Sequence, residues 1–459
     1  MKNKLSCRNV LQANRKGLQR SSGSRQRATV SGQSRNAQDK EEMHMLKKGK
    51  VMQEIKVIIG ASYGDEGKGL ATDFFGAQAE SRHPAHLTSD MVNVLTNGGP
   101  QRGHTVELAD GRRHVFKHFG SAFFRGAVSY FDRAFMVNPM EFMREYDELR
   151  AVQAAPRAYM HPDCRFTTPW DMLVNQLLQE KRGIHNSCGF GIWETVLRYQ
   201  RGCGVPFSTF AAMNRDDRIA LLRRIRDGYF ISRIKEIENM HFSQDTVKED
   251  TELPEFFFSE DLLFHFEEDC ESMRHLCPIR TEDFMQNYQT VLFENAQGLL
   301  LDGNSKDDAE YTTPSTTGVG RVFQTVENVF EGADVEVCYV SRSYLTRHGD
   351  GKMEHEIAPC ELKKQLPGVR KDLTNIENCF QGRLRYGMMD TDSLTGRILS
   401  DFAACGSTAK NLYRPSLMIT HLNEYAGIDT DALAGPFGSL YLSDGRTSAD
   451  ITAFCGRGA

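Results

Sequence analysis

Residues 54–80 read EIKVIIGASYGDEGKGLATDFFGAQAE, and three kinds of local structure follow one another in that run. Glu54–Gly60 is mostly apolar, rich in β-branched residues and closed by glycine, which predicts a buried strand. Leu70–Glu80 predicts a helix. Between them lies Gly64-Asp65-Glu66-Gly67-Lys68-Gly69. Glycines there let backbone N–H groups approach an anion closely. The start of a helix adds a positive dipole end, and Lys68 adds a point charge. Strand, glycine loop and helix open a βα phosphate-binding unit. The loop is not GxxxxGK[ST], because the Ser/Thr is missing. Asp65 inside it is costly beside a phosphate unless a metal or a proton transfer needs the carboxylate.

Outward from this unit, further strands are predicted at Thr290–Phe293, Val335–Val340 and Leu417–Ile419. Helices are predicted at Pro139–Gln153, Trp170–Lys181, Arg215–Glu238, Glu260–Leu276 and Thr391–Cys405. Strands spaced apart by helices give an α/β fold, a central mainly parallel sheet with flanking helices, with nucleotides bound beyond the C-terminal ends of its strands. The polar, acidic stretch 239–255 reads as a surface loop, and a second break falls around 367–378.

The chain has 459 residues and a net charge of −5, which does not suggest a nucleic-acid binder. The charge is unevenly spread. Thirteen Lys/Arg against three Asp/Glu give residues 1–50 about +10 and leave about −15 on the rest. Residues 1–52 therefore read as a disordered basic extension or a transit-like segment, with a basic nucleic-acid arm as the other reading. Eleven cysteines without zinc spacing fit reduced thiols and a cytoplasmic setting. No apolar run is long enough to span a membrane.

From GDEGKG onward the chain resembles the adenylosuccinate synthetase family, segment by segment and in order. GGPQRGHT (98–105) resembles that family's GGxNAGHT, and VFKHFGSA (115–122) the strand and turn after it. NSCGFGIWETVLR (186–198) resembles the glycine-rich purine nucleotide segment, and FENAQGLLLD (293–302) resembles FEGAQGxxLD. YTTPSTTG (311–318) resembles YVTSSNTT, and YLTRHGDG (344–351) resembles YxTRVGxG. GRLRYGMMD (382–390) is one residue short of GRxRRxGWxD, and THLNEYAG (420–427) falls where the family has TKLDxxxG.

The resemblance implies a P-loop-like nucleotide-binding fold, a homodimer, Mg2+ as cofactor, and IMP, L-aspartate and GTP as substrates. In the implied chemistry a base removes the purine N1 proton, O6 attacks the γ-phosphate, and the aspartate amine displaces the 6-phosphoryl group. Asp65 would be the base and, with Gly103, a magnesium ligand. His104 would act as an acid on the phosphates, and Gln297 would position the purine nucleotide. The triphosphate would meet Gly64, Glu66, Gly67, Lys68, Gly69, His104, Thr105 and Arg385, with His421, Asn423, Ser443 and Gly445 at its base. The purine monophosphate would meet Asp65, Gln101, Ser187, Gln297 and Thr313, with Arg198 reaching from the neighbouring subunit. Arg383 would hold aspartate. Taken singly, these residues have plainer readings: His104 as a satisfied histidine, Arg198 capping its own helix, Gln297 in a turn, Thr313 and Thr317 in strands.

Three departures bear on specificity. Asn423 stands where the guanine-reading acid falls and His421 where the lysine falls, so ATP becomes an alternative to GTP. The part after Thr420 is short. Gln101, Ser187, Cys188 and Trp193 replace the family's residues near the purine. These features lean toward phage enzymes that act on dGMP, whereas Asp65, which that branch often lacks, favours IMP. A nucleotide-binding regulator without catalysis is the rival of another class; Asp65, Lys68, His104, Gln297 and Arg383 argue against it.

Overall fold

The computed structural model describes residues 53–82, 90–182, 187–240, 255–304, 311–370, 375, 380–406 and 409–454. The basic segment 1–52, most of the stretch 239–255 and part of 367–378 lie outside them. The strands used below are β1 (Glu54–Gly60), β2 (Met91–Leu95), β3 (His104–Glu107), β4 (Arg113–Phe116), β5 (Val128–Phe131), β6 (Ala158–Met160) and β7 (Thr290–Gly298). They continue with β8 (Asp334–Arg342), β9 (Leu345–His348), β10 (Leu384–Gly387), β11 (Leu412–Thr420), β12 (Ser439–Ser443) and β13 (Ile451–Phe454).

Nine of these form one sheet in the order β13-β12-β11-β8-β1-β7-β2-β5-β6. Its neighbours are parallel except β12 and β13, which run antiparallel at one edge. A parallel sheet must be covered on both faces, so its central strands are largely apolar and buried. Ile55, Val57, Ile58 and Ile59 of β1 are fully buried. The helix α1 (Lys68–Arg82) covers one face: Leu70, Ala71, Phe74 and Phe75 pack with Ile58, Leu292, Val340 and Met418. A larger cluster, with Phe131, Phe142, Phe166, Trp170, Leu222 and Phe266, joins β5 to helices between residues 139 and 276.

The helix starts follow from their sequences. Asn138 accepts from the Glu141 N–H while Pro139 takes the first position, and Ser259 and Asp390 cap the helices Glu260–Leu276 and Thr391–Phe402 in the same way. The helix expected at Arg215–Glu238 spans that range but is not α-helical throughout. A π-helical segment, Ile225–Phe230, separates Arg215–Arg224 from Ile231–Glu238. It contains Gly228, and Arg226 turns out of it to meet Glu260. Strand β7 runs past the expected Phe293 to Gly298, because its last turn toward the cleft is polar yet buried: Glu294 and Asn295 are almost inaccessible.

Gly60 ends β1 in a space with no room for a side chain. A Cβ there would strike Glu66, the Gln297 carbonyl and Lys68. Gly396, on the exposed face of Thr391–Phe402, has nothing near it. Gly60→Ala is expected to destabilise by about 1–3 kcal/mol through overpacking. Gly396→Ala should stabilise by about 0.5–1 kcal/mol through helix propensity. Paired urea unfolding curves check both; equal effects would mean that the loop gives way freely.

Candidate functional site

The strands at the centre of the sheet deliver their C-terminal ends to one cleft of about 810 Å3. Gly60 ends β1, Gln297 sits one residue from the end of β7, Arg342 ends β8 and Thr420 ends β11. Crevices at this edge are the binding places of open α/β sheets.

The loop 61–67 turns from β1 into α1 with Gly64 at φ 87°, Asp65 at φ 57° and Gly67 at φ 98°. Glu66 points inward. Its Oε1 accepts from the Ser62 N–H at 2.6 Å and the Gly64 N–H at 3.2 Å, and its Oε2 lies 3.2 Å from Lys68 Nζ. Burial pushes the Glu66 carboxyl up, while Lys68 and the two amides pull it back. Glu66 thus lines the cleft with its carboxylate turned inward, where it shapes the loop. Asp65 turns the other way, into the cleft, with its side chain about 30% exposed and His348 Nε2 3.8 Å away. Arg342 Nε donates to the Asp65 carbonyl at 2.6 Å, and Thr420 Oγ1 to the Glu66 carbonyl at 2.8 Å.

The opposite wall is the turn 98–103 and the start of β3. His104 Nδ1 lies 2.5 Å from Glu294 Oε1, which also takes Arg102 Nη2 at 2.6 Å and Ser121 Oγ at 2.5 Å. Burial, then the Arg102 charge, brings His104 down to about 3 against the pull of Glu294. Burial pushes Glu294 up, but Arg102 and His104 together hold it well below the usual carboxylate range. His104 is thus neutral at pH 7. Nδ1 faces both the Glu294 carboxylate, which only accepts, and Arg102 Nη2, which only donates and lies 2.8 Å away; the shorter contact, to Glu294, puts the hydrogen on Nδ1 and leaves Nε2 as an open acceptor.

At the far end, α2 (Pro169–Arg182) and α3 (Ile192–Gln200) frame the glycine-rich segment. Ser187 Oγ donates to Asn175 Oδ1 at 2.8 Å. Of the expected contacts, Gly64, Asp65, Gly67, Lys68, Gly69, Gln101, Gly103, His104, Thr105, Ser187, Gln297, Thr313, His421, Asn423 and Gly445 all line the cleft.

Four do not. Arg198 is fully buried: it pairs with Asp171 at 2.9 Å and donates to the Phe166 and Cys203 carbonyls, which engages every guanidinium nitrogen within its own chain. Arg385 is held by Glu356 and by the Gly349 and Gly351 carbonyls, where it ties β9 to β10. Ser443 is buried and donates to the Gly445 carbonyl. Arg383 is exposed beside β10, outside the cleft wall.

Sequence reading missed Arg102, Arg342 and the buried pair Arg233–Glu194, which also reach the cleft, and Glu294, which is buried behind His104. The signal available for Glu294 was an acid directly after the apolar run Val291–Phe293.

Among the described residues no group of three or more His, Cys, Asp or Glu could hold a metal ion. Among the described residues, too, no helix is long and apolar enough to cross a membrane.

A parallel sheet with an anion-cradling loop after its first strand, an acid inside that loop and a polar cleft at its strand ends defines an α/β nucleotide-binding protein. The chain belongs to the adenylosuccinate synthetase family, whose sequence model matches residues 57–396. It is 25% identical over 309 residues to an adenylosuccinate synthetase of Clostridium botulinum (strain Alaska E43 / Type E3), covering 66% of this chain and 65% of that one. It therefore spans just under two thirds of that relative's length. With the Clostridium perfringens (strain 13 / Type A) enzyme it is 25% identical over 395 residues, covering 81% and 78%. Two solved structures share the fold. Fully ligated adenylosuccinate synthetase from Plasmodium falciparum has a TM-score of 0.57 at 18% identity, covering 89% of this chain and 88% of that one. Cyanophage S-2L succinoaminodeoxyadenylate synthetase, bound to dGMP and dATP as an energy donor, has a TM-score of 0.53 at 12% identity, covering 88% and 95%.

Arg198→Met is expected to cost about 3–5 kcal/mol, because Asp171 is left buried without its partner. Chemical denaturation would read that loss; a stable variant with weakened nucleotide binding would instead return Arg198 to the ligand. His118, with Nε2 accepting from the Asn138 N–H, is held well below its ordinary value by burial and by Lys117, as His104 is by burial and Arg102. Unfolding releases both to take up protons below about pH 6.5, so their stabilisation is complete above that pH and is lost progressively as pH falls from there toward the lowered folded values, about 3 for His104. Melting temperatures from pH 8 to pH 5 should fall, and His118→Gln should flatten the fall.

Proposed function

We propose that this protein is an adenylosuccinate synthase, a C–N ligase that joins L-aspartate to IMP with GTP cleavage in purine biosynthesis. One observation carries the reading: Asp65, His104 and Gln297, from three segments far apart in the chain, meet in one cleft with Lys68 and the loop amides.

Asp65 is the base. It takes the N1 proton of the 6-oxopurine, so that O6 becomes nucleophilic and attacks the γ-phosphate. That step breaks the bond to the leaving diphosphate and forms the 6-phosphoryl ester. The aspartate amine then adds at C6, phosphate leaves, and the amine loses its proton. Lys68 and the amides of the loop and of the α1 N-terminus hold the triphosphate in line. His104 presents Nε2 to the phosphates and becomes a donor as their negative charge attracts a proton to it. Gln297 orients the purine. Mg2+ bound with the phosphates would neutralise charge on them, held by the Asp65 carboxylate and the Gly103 carbonyl. Family membership supports a homodimer and a cytoplasmic setting, the first of which sedimentation would check.

A second substrate pair, dGMP with ATP, is favoured by one feature. Asn423 lies at the cleft where a carboxylate would take both guanine donors, N1–H and the 2-amino group. An amide offers one donor and one acceptor, which suits the N1 and 6-amino group of adenine.

Mass-spectrometric product analysis would offer aspartate and Mg2+ with IMP or dGMP, each with GTP or ATP. Adenylosuccinate from IMP is the expected product. A succinylated product from dGMP alone would replace IMP as the substrate, and no product from any pair would overturn the ligase reading. Asp65→Asn is expected to lower kcat by roughly 10²–10⁴-fold as the base is lost. Asn423→Asp should move the GTP-to-ATP ratio of kcat/KM toward GTP by about tenfold, corresponding to one to two hydrogen bonds.

A further inference from the structure

We infer that Arg102 is a positioning residue for His104, acting through the Glu294 carboxylate to hold the imidazole with Nδ1–H turned into the protein and Nε2 toward the cleft. For its effect on turnover the inference rests on the function proposed above.

Arg102 stands where GGxNAGHT has alanine, so the residue is an addition to the segment it resembles. Its side chain is about 1% exposed, and Nη2 meets Glu294 Oε1 at 2.6 Å while also lying 2.8 Å from His104 Nδ1, so guanidinium, carboxylate and ring share one contact point. The same oxygen receives His104 Nδ1 at 2.5 Å and Ser121 Oγ at 2.5 Å, while Glu294 Oε2 takes the Ser121 N–H at 3.1 Å. Arg102, at the end of the turn, and His104, at the start of β3, both send their side chains to the same carboxylate. The guanidinium fixes the rotation of that carboxylate, and the carboxylate fixes the ring and its tautomer.

The cost of this arrangement argues for a role. Nε and Nη1 of Arg102 are buried and have no hydrogen-bond partner. Unpartnered buried donors destabilise a fold, and an apolar residue would fill the place with less loss. A residue kept for packing alone would not be arginine.

Three measurements on the full-length protein test this. Ring 15N shifts of histidine-labelled protein, with the His104 signals assigned from His104→Asn, should show Nδ1–H in the wild type and a mixture with Nε2–H in Arg102→Ala. In the ligation assay Arg102→Ala should lower kcat by roughly 10–100-fold, with the KM of either nucleotide changed less than about threefold and partial recovery in Arg102→Lys. The double variant Arg102→Met/Glu294→Gln, which leaves no buried charge, should melt no lower than the wild type and yet turn over slowly. Arg102→Ala that keeps both the wild-type tautomer and kcat overturns the inference. So does a double variant whose lost activity follows only from lost folding. If the wild type forms no ligation product, the proposed function fails, and the ring shifts alone still decide for or against Arg102.

Discussion

The cleft depends on one buried contact, the pairing of Glu66 with Lys68 beneath the glycine loop. Both side chains are about 2% exposed. Glu66 gathers the Ser62 and Gly64 N–H groups on one oxygen and Lys68 on the other, so a single inward carboxylate sets the path of the whole loop. Gly60 makes the space for that pair, and Thr420 at the end of β11 fastens the loop from outside through the Glu66 carbonyl. With Glu66 turned in, the neighbouring Asp65 is turned out. The two acids of GDEGKG thus divide the work: one shapes the loop and the other faces the cleft.

This geometry strains the backbone where it meets the cleft. Four non-glycine residues among those described have positive φ, and three of them, Asp65, Gln297 and His421, line the cleft. Such conformations cost about 1–3 kcal/mol each and persist where surrounding contacts over-determine them. Arg342 supplies such a contact at the Asp65 carbonyl, and Thr420 Oγ1 lies 2.8 Å from His421 Nδ1. The fourth, His355, lies apart from the cleft on an exposed turn.

Much of this was legible in the sequence because two signals coincide at β1 and α1: an apolar β-branched run, and glycines that an anion site requires. The segments read against the family reached the cleft for the same reason, since glycines, Asp65, Lys68, His104 and Gln297 are side chains whose chemistry has little use elsewhere. What the sequence concealed was direction. Nothing in NSCGFGIWETVLR says that Arg198 turns back to Asp171, a residue on another helix. Nothing in GRLRYG says that Arg385 is taken up by two glycine carbonyls of the facing strand end. Short strands such as β2 and β5 escaped because a five- or four-residue buried run has no period to read. The π segment escaped because its helical pattern continues on either side of it.

The strand order also sets a timetable. β1 occupies the middle of the sheet, yet its two neighbours are β7 and β8, which begin at Thr290 and Asp334. On a ribosome adding about 5–20 residues per second, β1 leaves the exit tunnel roughly 10–50 s before either partner exists. For that interval its run of valine and isoleucine has nothing native to pair with, and the helices encoded between residues 139 and 276 can gather first around their own aromatic cluster. The nascent chain therefore carries its nucleotide loop as an unassembled, sticky thread, and its passage to the finished enzyme falls to whatever shields such segments in the cell.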